Sequence, residues 1–314
     1  SDLFLAPKVY PPQDFYFDLA LNLLAHAFFE RQYSLIMRRI DRQVVKNVFQ
    51  KPSINDDKYS RGVLGVFAGS KKYPGAAVLT TKSASRTGVG MIRFLVNNKK
   101  VCYLVLEKSP EVVIQSGQVQ GLLIGSGISS GGGNFLSRQK IKKLINQKVP
   151  TVLDAGAINF VKHMQSPCLI TPHYKELQAL FSANNENVDL AQIRKDPIKW
   201  AKKASQDFST TVLLKGNTTI ITDGKKVLEL ASSTTYLATA GSGDVLAGIL
   251  GALVATNYVR IKNNQISMLE IAHAGFIIQQ EVAEITSANG PMGASQMIEN
   301  IAPVIRKAIS TKLI

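Results

Sequence analysis

The chain has 314 residues, 45% hydrophobic and 19% charged, which is enough for one large domain or two small ones around a sizeable core. Its formal net charge is +15 and its pI about 9.7, a balance that suits polyanionic partners. The basic residues are scattered, however. The densest groups, Lys71-Lys72, Lys99-Lys100 and Lys140/Lys142/Lys143, carry no interleaved aromatics, which argues against a nucleic-acid surface and for a solvated basic one.

Residues 1–36 begin with Pro7, Pro11 and Pro12, an extended lead-in, followed by an amphipathic helix expected over Asp18–Arg31. This N-terminal extension has no assigned role; a single domain is expected over 37–314. Within the extension, Leu19–Phe29 is apolar but too short to span a bilayer and is interrupted by Asn22 and His26. The N-terminus shows no basic segment or cleavage site of a secretory signal. A second helix is expected over Ile36–Phe49, then a polar loop to Tyr59.

From Arg61 the pattern changes to short apolar runs alternating with helical segments. Gly62–Gly69 reads as a buried strand, Ala76–Thr87 as a tightly packed helix, and Met91–Val96 as the next strand. Tyr103–Leu106 and Gly121–Ile124 read as further strands, and Ser137–Gln147 as a basic helix. Val152-Leu153, Leu169–Thr171 and Thr211–Leu214 are strand ends, and Thr219–Leu228 is a hairpin with an Asp-Gly turn. Three helices close the chain, over Asp244–Thr256, Gln265–Ile285 and Ser295–Ser310. Short apolar strands alternating with helices predict an α/β fold, a mostly parallel sheet covered on both faces. Cys102 and Cys168 both lie in strand-like apolar runs and are expected to be reduced core residues of a soluble, cytoplasmic protein with no membrane partner. No C-x-x-C or other metal-ligand spacing occurs.

Ligands of such sheets bind beyond the carboxyl ends of the strands, so the loops there carry the chemistry. The strongest is Gly241-Ser242-Gly243-Asp244, which runs into an apolar helix. Bare backbone at a helix start suits a phosphoryl group. Asp244 in the first turn is either an N-terminal cap or a general base beside that group. Gly125-Ser126-Gly127 follows the strand ending at Ile124; Ser at 130 breaks the dinucleotide-binding pattern. Asp154 follows Leu153, where a carboxylate can hold a metal-bound water or cap the next helix, and capping is the favoured reading. Thr171-Pro172-His173 precedes Glu176, as in a capping arrangement, with His173 directed into the crevice. Lys215-Gly216-Asn217-Thr218-Thr219 suits a phosphate contact, and no Walker A triplet occurs anywhere.

In this order, from about Ser60 to about Ala308, these loops resemble the NAD(P)H-hydrate dehydratases, carbohydrate-kinase-like proteins of the ribokinase-like superfamily. Further anchors are Tyr73-Pro74-Gly75-Ala76-Ala77, Arg86–Gly90 and Asp154–Asn159. The family usually has Pro at Ser126, Asp at Gly156, Pro-Gly at Tyr174-Lys175 and Thr at Ser242. The resemblance implies a ribokinase-like three-layer fold and a repair reaction: the hydroxyl of hydrated NADH or NADPH is phosphorylated by ADP or ATP, and phosphate then leaves. It implies Asp244 as the base. Ala76, Gly127, His173 and Asp244 would contact the hydrated dinucleotide; Lys215, Gly216, Asn217, Thr218, Thr219, Gly241, Ser242 and Gly243 would contact the nucleotide. Mg2+ would bridge the phosphates, its ligands unassigned. A homo-oligomer is expected, working with a separate NAD(P)H-hydrate epimerase. The alternatives are a small-alcohol kinase of the same superfamily and a non-catalytic nucleotide-binding relative.

Overall fold

In a computed structural model of the protein, residues 43–310 are described. The helix expected over Asp18–Arg31 and the first half of that over Ile36–Phe49 lie outside them; residues 43–48 are helical.

The strands are β1 Val63–Phe67, β2 Met91–Phe94, β3 Gly121–Ile124, β4 Thr151–Leu153, β5 Cys168–Ile170, β6 Thr211–Leu214, β7 Thr218–Thr222 and β8 Val227–Ala231. They form one eight-stranded sheet in the order β2-β1-β3-β4-β5-β6-β7-β8. Pairing is parallel up to β6 and antiparallel for β7 and β8, which form the expected hairpin.

Strand residues alternate between two cores, as the pleat requires. Leu64, Val66, Leu123 and Leu213 face a layer built by helices α1 Pro74–Thr87, α7 Ser242–Thr256, α9 Met268–Ser287 and α10 Ala294–Ser310. Phe67, Leu122, Ile124 and Leu214 face the other, which holds α3 Phe135–Ile145, the 3-10 segment Ala155–His163, α4 Tyr174–Ser182, α5 Leu190–Lys195 and α6 Pro197–Asp207. A short helix not expected from sequence, α8 Tyr258–Lys262, follows α7.

One expected strand is a helix. Tyr103–Leu106 lies inside α2, Lys99–Lys108. Asn98 caps it, its side chain accepting from the Val101 N–H at 3.3 Å. Only Val101 and Val105, four apart on one helical face, are buried, while Tyr103 is 71% exposed. An unbroken apolar run does not itself distinguish strand from one-sided helix; the cap and the i, i+4 contact decide it. Cys102 therefore sits on a helix, half-buried, its thiol 3.2 Å from the Val96 carbonyl, whereas Cys168 is a buried strand residue; both are free.

Helix α7 packs against α1 at Gly248, where a side chain would strike the Ser83 hydroxyl and the Thr80 carbonyl. Gly248→Ala is expected to destabilise the fold by about 1–3 kcal/mol, because the clash is with helix backbone that cannot swing aside. Urea unfolding of the variant measures this, and an unchanged midpoint would show that α1 and α7 can separate freely.

Candidate active site

The site lies at the carboxyl ends of the parallel strands. Helix α7 starts there from Gly241, whose φ of 90° is left-handed and whose position makes no side-chain cap. The Ser242 hydroxyl turns back, donating to the Leu237 and Thr239 carbonyls at 2.9 and 3.0 Å. The N–H groups of Gly243 and Asp244 meet no acceptor among the described residues, as expected of a first helical turn. Two donors and the dipole's positive end thus face outward.

Asp244 does not cap this helix. Its carboxylate accepts no hydrogen bond from any described residue, and burial pushes its pKa up to about 7. Repulsion from Asp154 adds to the rise, and the Lys215 ammonium opposes it. A carboxyl that titrates near neutrality with both oxygens uncommitted is suited to taking a proton.

Asp154, expected as a helix cap, makes no cap bond either. Its buried carboxylate instead accepts from the Ser126 hydroxyl at 2.8 Å, the Thr171 hydroxyl at 2.7 Å and the Lys215 ammonium at 3.2 Å. The capping reading fails because β3, β4, β5 and β6 lie side by side, so donors from three neighbouring loops converge on the same carboxylate. Burial opposes its charge, but Lys215 and the two hydroxyls outweigh that and hold its pKa below the usual value. Lys215 stays charged for the reciprocal reason: burial lowers its pKa, while Asp154, then Glu176, raise it further.

His173 does start a helix. Its Nδ1 accepts from the Glu176 N–H at 3.1 Å, and Glu176 accepts from the His173 N–H at 2.8 Å, a reciprocal capping box for α4. Glu176 also lies 3.9 Å from Lys215, and a backbone bridge pairs His173 with Lys215. With Nδ1 committed as acceptor, the neutral ring carries its proton on Nε2.

A cavity of about 850 Å³ opens beside this cluster, over β6, β7 and β8. His173, Lys215, Gly216, Asn217, Thr219 and Gly243 line it, with Ser242. Thr218 and Gly241 are not on its wall. Ala76 and Gly127 lie elsewhere: they touch each other at the carboxyl ends of β1 and β3, close to Gly69. Leu79, one turn further along α1, touches Gly241, so the first turns of α1 connect the two regions.

Residues not singled out from sequence also contribute. Gln279 and Gln280 of α9 line the cavity; Gln279 donates to the Ser242 carbonyl at 2.9 Å and Gln280 accepts from the Ser233 N–H at 2.7 Å. Two consecutive buried glutamines, following the apolar run Phe276–Ile278, were the available signal. Ser126, where the family usually has Pro, is one of the three donors to Asp154. At Gly156 a side chain would run into the Ile128 and Ser129 carbonyls, so the usual Asp has no room in this backbone. The Tyr174 hydroxyl lies against Gly216, filling space that Pro would leave open.

Comparison with known proteins bears on the fold and the family. An Enterococcus faecalis protein of the ribokinase-like superfamily superposes with a TM-score of 0.72 at 18% identity, covering 86% of this chain and 95% of that one. A Bacillus subtilis ADP/ATP-dependent NAD(P)H-hydrate dehydratase, co-crystallised with ATP/Mg2+, gives 0.72 at 21% identity, covering 85% and 97%. The fold is therefore ribokinase-like. The carbohydrate-kinase profile described as NAD(P)H-hydrate dehydratase matches residues 64–303, and the chain belongs to that family. A bifunctional NAD(P)H-hydrate repair enzyme of Corynebacterium glutamicum is 32% identical over 227 residues, 67% of this chain. The match covers only 38% of that relative, so the chain spans well under half its length. An ADP-dependent (S)-NAD(P)H-hydrate dehydratase of Neisseria meningitidis is 27% identical over 277 residues, 83% of this chain and 89% of the relative.

Among the described residues no three His, Cys, Asp or Glu side chains gather into a metal cage, and no helix is long and apolar enough to cross a membrane.

Proposed function

We propose that the chain dehydrates hydrated NADH or NADPH at the expense of ADP or ATP. The observation that carries the reading is Asp244: an uncommitted carboxylate with a pKa near 7, at a bare helix start whose Gly243 lies beside Lys215 and whose Gly241 meets Leu79 of α1.

The nucleotide lies in the cavity over β6–β8, its phosphates toward Lys215, Gly216 and Gly243. The hydrated nicotinamide ring enters past Ala76, Gly127 and His173, its hydroxyl at Asp244. Asp244 takes the hydroxyl proton as the ring oxygen attacks the terminal phosphorus and the bridging P–O bond breaks. The Gly243 and Asp244 amides, with the Lys215 ammonium, hold the charge on the transferring group. The ring C–O bond then breaks as phosphate departs, a proton leaves the adjacent carbon, and the double bond returns. Asp154 keeps Lys215 in place throughout. A magnesium ion held chiefly by the nucleotide phosphates would need no protein cage; Glu176, beside Lys215, would offer it a carboxylate oxygen, while Asp244 stays free to take the proton. When bound, the ion would neutralise phosphate charge. Assembly into a homo-oligomer and cooperation with an epimerase belong to the same reading; the relatives named bifunctional repair enzymes support the latter.

The test is recovery of reduced-cofactor absorbance from hydrated NADH and NADPH with ADP, then with ATP. Recovery with either nucleotide is expected. Binding of both ligands without recovery would overturn the reading.

A further inference from the structure

A second cavity, of about 570 Å³, opens at the same end of the sheet on its other side, over β2, β1 and β3. Lys71, Lys72 and Lys140 line it, and no acidic residue does. None of the three pairs with a carboxylate among the described residues; Lys72 rests over the Tyr73 ring at 5.2 Å. Helices α2 and α3 both begin at its rim, at Asn98 and Asn134, so their positive ends add to the lysines. The lining also includes apolar Phe67, Ile128 and Leu136, the last 75% exposed on an otherwise polar rim.

Position links this cavity to the site. Gly69, on its wall, donates to the Ser126 carbonyl at 2.7 Å and lies close to Gly127. The Ala76–Gly127 ridge therefore adjoins the second cavity through Gly69, and Leu79, one turn beyond Ala76, touches Gly241 at the start of the helix that carries Asp244. Two bulky polyanions have to reach Asp244 together. One occupies the side over β6–β8, so the other extends across the ridge to the opposite side.

We propose that the second cavity is the subsite for the phosphate-bearing adenylate half of the hydrated dinucleotide, with Lys71, Lys72 and Lys140 as its cations and Leu136 as an apolar surface for the base. The proposal rests on the dehydratase reading above. Charge-assisted contacts to phosphate from three lysines make the far half a large part of substrate affinity.

The test compares wild type with the K71A/K72A/K140A variant on two substrates, hydrated NADPH and the hydrated reduced nicotinamide mononucleotide, which lacks the adenylate half. The KM for hydrated NADPH is expected to rise about tenfold or more with kcat little changed, while the KM for the mononucleotide stays put. An unchanged KM for hydrated NADPH, or an equal rise for both substrates, overturns the subsite. Thermal melting and ATP affinity of the variant show that it is folded. If wild type turns over neither substrate, the dehydratase reading fails, and NADPH titrated calorimetrically with ATP present decides the subsite by itself: weaker binding to the variant supports it, equal binding overturns it.

Discussion

Asp244→Asn is expected to lower kcat by about 10²–10⁴, the usual contribution of a positioned general base, with ligand affinities little changed. Asn keeps the size of the side chain and cannot take the proton. The competing structural role, an N-terminal cap, is not seen in the fold, where Asp244 makes no cap bond. The substitution is also expected to raise stability. The folded carboxyl has a pKa of about 7, above its value of 3.8 outside the protein. Between those values the unfolded state holds fewer protons, so ionisation weakens the fold as pH rises, and the full cost is present only above about 7. The variant's melting temperature should therefore exceed wild type's more at pH 8 than at pH 5. Wild-type kcat/KM should climb with pH through about 7, reporting the free enzyme's base. An Asn variant with near-wild-type kcat would remove Asp244 from the mechanism.

The second large effect is expected at Asp154. Asp154→Asn takes away the charge facing Lys215 and turns one of three converging donors against an amide N–H. Breaking a buried ion pair from one side typically costs about 3–5 kcal/mol, most of it from the charge left unpaired. Because Asp154's folded pKa is lowered, its contribution is present above the unfolded carboxyl pKa and is lost as pH falls through the folded value. The difference between variant and wild type should thus be largest at neutral pH and shrink in acid. The same substitution removes a repulsion that raises the pKa of Asp244, so the acid limb of kcat/KM should move to lower pH while the maximum rate falls. Asp154 acts through Lys215 and the field at Asp244, and a purely structural residue would leave the position of that limb unchanged. Denaturant unfolding at two pH values with a full pH–rate profile measures all of this; an unmoved limb would reduce Asp154 to a packing role.

Where the relevant information was local, the chain itself was informative. The Asp244 helix start, the His173–Glu176 capping box and the β7–β8 hairpin each depend on residues within a few positions of one another, and each forms as the residue types imply. The alternation of short apolar runs with helices likewise implies a parallel sheet buried on both faces, because such runs have no other place to hide. Tyr103–Leu106 shows the limit: an apolar run satisfies a strand or one face of a helix equally, and the Asn98 cap with the burial of Val101 and Val105 settled it. Asp154 shows it more sharply. Read along the chain, its carboxylate is favoured as a cap over holding a metal-bound water. Folded, it meets Ser126, Thr171 and Lys215, which arrive on three other loops. The separation of the two lysine-bearing sides is of the same kind, since Lys71, Lys72 and Lys140 are brought together only because β2, β1 and β3 are neighbours in the sheet. Residue type and short spacing determined which elements form and which loops carry chemistry; strand order, which brings distant loops within hydrogen-bonding range, decided which charges face one another and so which carboxylate is free to react.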